Sequence, residues 1–218
     1  EAGLPVTEFL TDRTITREAD SPGEVPQGDG RNIRIRNMEQ LLEEMGRRRI
    51  RQVFIKPVCG SGAAGVSAFR LQPGTGRMML YTCAADVPGL GLVNTKKLWV
   101  HNETEKIRHF LDRLLLMDCV VERWYAKAMY GSYSYDLRAV VQGGKLDQLL
   151  ARLSRGPITN LQLNNHPLSA DRMGFTLEQR EMLEDLCRKA AACFPGLWSV
   201  GVDILLEKGS LNPRIIEM

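Results

Sequence analysis

The chain has no run of about 18 consecutive apolar residues, so no helix is expected to cross a membrane. No basic-then-apolar leader opens it either. Histidine is scarce, at positions 101, 109 and 166 only, and none lies near a cysteine at zinc-ligand spacing. The cysteines at 59, 83, 119, 187 and 193 are odd in number and contain no CxxC, which argues against both a zinc site and a disulfide framework. Free, mostly buried thiols in a reducing cytoplasm are the expectation. Excess charge is lacking too: 29 basic against 26 acidic residues leave a net +3, too little to point to a nucleic-acid partner. No Ser-His-Asp or Cys-His set for nucleophilic catalysis and no internal repeat is visible.

What is present is ordinary for a globular chain of 218 residues, with 44% hydrophobic and 25% charged residues. Residues 2–10 read as a short extended opening. Residues 11–36 are polar and carry Pro22, Gly23, Pro26, Gly28 and Gly30, the composition of a linker. Asn37 followed by Gln40 resembles a capping box and opens a helix with Met38, Leu41, Leu42 and Met45 on its apolar face. Strands are expected at 53–57, 66–71 and 78–83, and a loop at 86–94 around Pro88, Gly89 and Gly91. Asn102 or Thr104 would cap a second helix, with Ile107, Phe110, Leu111 and Leu114 at its 3.6-residue period. A strand at 119–124 follows. Gly143-Gly144 marks a hairpin, Thr176 with Gln179 caps a third helix, and 199–206 with 211–218 form a closing hairpin around Lys208-Gly209. Helices alternating with hairpins argue for two α+β lobes rather than a doubly wound parallel sheet.

Three groups of residues carry chemistry. Gly60, Ser61, Gly62, Ala63, Ala64 and Gly65 form a loop whose small residues let backbone N–H groups approach phosphate oxygens. No Lys-Ser/Thr pair and no helix follows it, so it is not a P-loop; Lys56 precedes it instead. A plain flexible hairpin is the alternative. Asp203 and Glu217 each interrupt an apolar strand. With the closing hairpin centred on Ser210 they would stand opposite each other on one face. Two facing carboxylates repel unless a hard cation such as Mg²⁺ lies between them. Pairing with a nearby arginine, or plain solvation, would also answer the repulsion. Asp136 and Arg138 share a strand face, and Arg152 and Arg155 follow, with Thr159 and Asn160 close behind. Guanidinium groups in such number suit phosphate or carboxylate, though a solvated face is the bland alternative.

Taken in order, these segments resemble the ATP-grasp superfamily: Phe54-Ile55-Lys56-Pro57 with the small-residue loop, Val121-Glu122-Arg123-Trp124-Tyr125, Asp136-Leu137-Arg138, Ala151-Arg152-Leu153-Ser154-Arg155, Thr159-Asn160-Leu161, Gly201-Val202-Asp203-Ile204, and Ile216-Glu217. The resemblance runs over residues 4–218. It is closest to the branch of glutathione synthetase and the ligases that add glutamate to ribosomal protein, and within it to a poorly characterised bacterial ATP-grasp family.

The resemblance implies an α+β fold of two lobes clasping a nucleotide. Residues 1–36 would be an opening strand and linker, 37–118 the small lobe with its glycine-rich flap, and 119–218 the large lobe with the metal site. It implies ATP and two Mg²⁺ ions. Lys56 would meet the α-phosphate or adenine, and residues 60–65 would close over the β- and γ-phosphates. Glu122 and the backbones of Arg123 and Tyr125 would hold adenine, walled by Val53, Ile55, Val120, Trp124 and Ile216. Arg138 and Arg152 would bind the transferring phosphoryl group, Asp203 and Glu217 would ligate Mg²⁺, and Asn160 and Arg155 would lie nearby. The implied reaction joins a small-molecule or peptide carboxylate to an amine through an acyl phosphate. A kinase acting on a hydroxyl and a non-catalytic nucleotide-binding module stay open, as does a homo-oligomer. The family places an Asn two residues after its last Glu, and an α/β domain before the lobes. Neither is in this chain, so a longer protein is expected.

Overall fold

A computed structural model describes residues 3–11, 34–60 and 62–218. Most of the expected linker, residues 12–33, and Ser61 of the glycine loop lie outside the described residues. The chain divides into two compact units, Glu8–Trp124 and Glu1–Thr7 with Tyr125–Met218.

The first unit contains α1 (Met38–Arg47), β1 (Gln52–Pro57), β2 (Ser67–Leu71), β3 (Met78–Val87), β4 (Gly91–His101), α2 (Thr104–Leu114) and β5 (Cys119–Arg123). Its antiparallel strands lie in the order β4-β3-β2-β1-β5. Asn37 caps α1 by accepting from the Gln40 N–H at 2.9 Å, and Gln40 reaches back to the N–H of Arg36 rather than of Asn37. The Asp112 carboxylate from α2 accepts from the Met38 N–H at 2.8 Å, placing a negative charge at the positive end of α1. The second helix starts differently from expectation. Its N-cap is Glu103, which makes no side-chain cap bond, and neither Asn102 nor Thr104 takes that role. Val53, Ile55, Phe69, Leu80 and Val121 pack with the apolar faces of both helices in one core. Strand alternation therefore turns Phe54, Lys56 and Glu122 to the opposite face.

The loop expected at 86–94 is not one. β3 continues to Val87 and β4 starts at Gly91, so the turn is confined to the residues between them. β4 is an edge strand whose Lys96 and Lys97 are exposed. Charge on an edge strand blocks pairing with other chains and also removes the apolar alternation by which a strand is read. β5, grouped with the later lobe in the sequence reading, pairs with β1 and belongs to Glu8–Trp124.

The second unit contains β6 (Met129–Tyr130), β7 (Tyr133–Gln142), β8 (Lys145–Ser154), β9 (His166–Ser169), α3 (Leu177–Ala192), β10 (Ser199–Leu206) and β11 (Pro213–Glu217). The sheet order is β11-β10-β7-β8-β9, with β6 alongside β7. Gly143 and Gly144 adopt φ of 54° and 76° in the β7–β8 turn, which an L side chain rarely adopts. Thr176 and Gln179 form the expected capping box at the start of α3. Leu183, Leu186, Cys187 and Ala190 of α3 cover Leu137, Ala139, Ala151, Leu153, Val202 and Ile204. That leaves Asp136, Arg138, Arg152 and Asp203 on the other face of the sheet.

Helices with two antiparallel sheets make the fold α+β, as expected from the sequence. All five cysteines are free, with Cys83 and Cys187 buried and Cys59 and Cys193 exposed. Burial pushes the Cys119 thiol up to about 12 and the Cys187 thiol up to about 11. No helix among the described residues is long and apolar enough to cross a membrane.

Candidate functional site

The candidate residues divide between the two units. In Glu8–Trp124, β1 ends at Lys56-Pro57 and the chain then turns through the glycine loop into β2. Gly62, Ala63 and Gly65 have φ of 64°, 61° and 71°. A Cβ on Gly65 would sit 2.8 Å from Pro57 Cγ, so that position needs glycine for space as well as for φ. Among the described residues, none of the amides of 62–65 donates a hydrogen bond. The loop is fastened through a carbonyl instead. The Cys83 thiol donates to the Ala63 carbonyl at 2.6 Å, and burial raises the pKa of that thiol. Amides without acceptors within the protein are what an anion requires.

Lys56 forms an ion pair with Glu122, whose side chain is only 2% exposed. Phe54 and Tyr81 pack on Trp124, with ring centroids 5.5 Å and 6.2 Å away. Val53 and Ile55 do not join them. Both are fully buried against α1 and α2, because strand alternation turns them away from the face of Lys56. The Arg123 N–H donates to the Glu8 carbonyl at 2.7 Å, and its guanidinium pairs with the Glu8 carboxylate at 3.2 Å. A cleft of about 490 Å³ lined by Trp99, His101, His109 and Phe110 lies on the helix side of this sheet, the opposite face from Lys56.

In the second unit, register builds a row of charges. Arg138 on β7 is the partner of Asp203 on β10, and Asp136 on β7 is the partner of Arg152 on β8. Arg138 Nη1 lies 2.8 Å from Asp203 Oδ1, and Arg152 Nη2 lies 2.9 Å from Asp203 Oδ2. Arg152 Nε donates to Asp136 Oδ1 at 2.7 Å. Lys127 Nζ then reaches Asp136 Oδ2 at 3.2 Å and Thr159 Oγ1 at 2.7 Å, while the Thr159 hydroxyl donates to Asp136. Lys127, Asp136, Arg152, Thr159 and Asp203 are all buried, whereas the Arg138 side chain is 45% exposed.

Burial works against a charged Asp136, but Lys127 and Arg152 outweigh it and hold its carboxyl below the usual carboxylate range. Burial likewise opposes the Arg152 charge, and Asp136 and Asp203 overcome it, so its pKa is raised. Lys127, Arg152 and Arg138 face Asp136 and Asp203, and Glu217, the register partner of Asp203, brings the face to three cations and three carboxylates.

Glu217 reaches this row through an irregularity. From the turn, Leu206 pairs with Pro213, Leu205 with Arg214 and Ile204 with Ile215. Continued regularly, that register would set Ile216 opposite Asp203. A bulge between Asp203 and Ile204 shifts it, leaves Ile216 as the extra residue and makes Glu217 the partner of Asp203. A one-residue shift is what turns Glu217 to the face of Asp203. Among the described residues no group of three or more His, Cys, Asp or Glu side chains is set to hold a metal. The two carboxylates are hard oxygen donors, and Mg²⁺ is held by one or two carboxylates together with substrate phosphates, so the donor set fits that ion in company with a nucleotide.

Tyr125 stands under the Arg214 guanidinium, 4.1 Å from its ring centroid. Arg155 is exposed and stacks on Tyr133 at 5.4 Å, apart from the charge row. The Asn160 carbonyl accepts from Asn165 at 3.0 Å, one residue beyond Thr159. Sequence reasoning gave no role to Lys127, which lies just beyond the segment Val121-Glu122-Arg123-Trp124-Tyr125. Only its position between apolar neighbours hinted that the charge is buried.

No family model matches the sequence, and no curated protein matches it. Among solved structures the chain is similar to the ATP-grasp ligase PsnB complexed with minimal precursor, at 15% identity and a TM-score of 0.48, over 99% of this chain and 47% of that one. PsnB complexed with a phosphomimetic variant of minimal precursor, Mg and ADP is similar at 15% identity and a TM-score of 0.44, and PsnB with precursor peptide PsnA2 and AMPPNP at 14% and 0.44. Each of these two covers 99% of this chain and 44% of the other, so the chain spans less than half the length of these proteins.

Proposed function

We propose that this chain is the nucleotide-binding part of an ATP-dependent ligase of ATP-grasp type, joining a carboxylate to an amine through an acyl phosphate. The observation that carries the reading is the bulge that turns Glu217 to the face of Asp203, beside Arg138 and Arg152. Without a ligand, Arg138 and Arg152 answer the repulsion between the two carboxylates by pairing with Asp203. The same set suits a phosphate that arrives with a cation.

In this reading Lys56 and the amides of residues 62–65 hold the triphosphate, and Phe54, Tyr81 and Trp124 offer aromatic surface to the base. Asp203 and Glu217 hold Mg²⁺, two ions in the proposal, which neutralise phosphate charge when bound. A carboxylate oxygen of a small molecule or peptide attacks the γ-phosphorus, the bond to ADP breaks, and an amine then displaces phosphate from the acyl group. Arg152, fixed and buried, and Arg138, more exposed, stabilise the charge on the transferring phosphoryl oxygens. No protein nucleophile takes part, and positioning with charge neutralisation carries the reaction.

Hydroxylamine tests the intermediate. The full-length protein with Mg-ATP and a panel of amino acids and peptides should yield ADP and a hydroxamate. Asp203→Asn and Glu217→Gln should each lower turnover by roughly 100-fold or more. A stable phosphomonoester with no hydroxamate would contradict the ligase and indicate a kinase.

A further inference from the structure

Arg152 is an enclosed cation of the charge row, with its side chain only 9% exposed. A guanidinium there has little water to orient it, so its direction is set by what it donates to. Its Nε donates to Asp136 Oδ1 and its Nη2 faces Asp203 Oδ2, one carboxylate on each side. Asp136 is in turn held from behind. Its other oxygen, Oδ2, receives Lys127 Nζ and the Thr159 hydroxyl.

Lys127 cannot itself meet a ligand, since its side chain is 6% exposed. Its backbone is pinned on both flanks: the Ala128 N–H donates to the Leu206 carbonyl at 2.7 Å, and the Lys208 N–H to the Ala126 carbonyl at 2.8 Å. It thus stands as a fixed cation behind a fixed anion. Without Lys127, Asp136 would have Arg152 as its one cationic partner. The pull of that unbalanced carboxylate would compete with Asp203 for the guanidinium.

We propose that Lys127 is a positioning residue. It fixes the Asp136 carboxylate, and through it aims the Arg152 guanidinium at the edge it shares with Asp203. The purpose assigned to Arg152 rests on the proposed function; the aiming itself rests on the side-chain contacts.

The test uses the full-length protein with ¹⁵N-labelled arginine. The Arg152 Nε–H resonance, assigned by its loss in Arg152→Lys, should be protected from exchange with water. In Lys127→Met its exchange should quicken at least tenfold while the Nε–H resonances of Arg48 and Arg214, which donate to Glu44 and Glu207, stay unchanged, and Lys127→Arg should restore protection. Unchanged protection in Lys127→Met overturns the proposal. So does loss of protection at all three arginines, which would mark Lys127 as a contributor to stability alone. A parallel assay should find kcat for ATP at least tenfold lower in Lys127→Met, with KM for ATP within twofold of normal. A raised KM with normal kcat also overturns the proposal. A wild-type protein that neither binds nor turns over Mg-ATP defeats the proposed function, while the exchange measurement still decides the aiming of Arg152.

Discussion

Gly201 lacks a side chain, and Arg138 lies across the space that one would fill. A Cβ there would come within 2.3 Å of Arg138 Nη2 and 2.5 Å of its Cζ. Gly201 stands two residues before Asp203, on the same strand face, so the missing methyl is what lets Arg138 reach Asp203. The obstructed atoms are the far end of a flexible, half-exposed side chain, so the fold can give way there. Gly201→Ala is expected to change stability by no more than about 1 kcal/mol in urea unfolding, while displacing Arg138 from Asp203. A crystal structure of the variant checks the displacement. Such roles are hard to read from a sequence. Gly201 was visible as part of a motif, but its reason depends on a side chain from β7, and Lys127 acquires its meaning only when β7 and the Thr159 segment fold beside it. Asp203 and Glu217 stand out in the sequence as charges within apolar strands, and Arg138 and Arg152 as clustered guanidiniums.

The charged strands make a prediction at the scale of the element. Asp136 joins β7 to β8 through Arg152 and to the Thr159 segment through Lys127. Removing one member of a buried ionic cluster leaves the others unpaired, which costs about 3–5 kcal/mol. Asp136→Asn should lower unfolding free energy by about that much near neutral pH. The sign of the pH effect follows from the lowered pKa. The folded protein holds the proton less tightly than the unfolded chain, so the contribution is present above about pH 4. It is lost as pH falls through the folded value below that. The melting-temperature gap between wild type and Asp136→Asn should therefore be constant from pH 5 to 7 and narrow below pH 4. A gap that widens on acidification would contradict the assignment.

Elements themselves were unevenly legible. Gly143-Gly144 and the Thr176–Gln179 box announce a turn and a helix start through local chemistry. β4 hides because an edge strand carries lysines where alternation would be sought. The pairing of Asp203 with Glu217 was legible, but the bulge that produces it was not, since a bulge leaves no mark in residue spacing.

For the molecule as a whole, the residues assigned roles in the proposed function are distributed over both units. Glu8–Trp124 carries Lys56 and the amide loop, and Tyr125–Met218 carries the carboxylates and arginines. In the proposed function Mg²⁺ and nucleotide binding are linked, because Mg²⁺ is held by one or two carboxylates together with substrate phosphates and water. The direct measurement is the melting temperature of the full-length protein with ATP, with and without Mg²⁺. At a hundred times the dissociation constant, Mg-ATP should add about 2.7 kcal/mol of stability and raise the melting point visibly. ATP with chelator should do far less, and Glu217→Gln should remove the magnesium-dependent part. An unchanged melting point with Mg-ATP, or an equal rise without magnesium, would contradict the account.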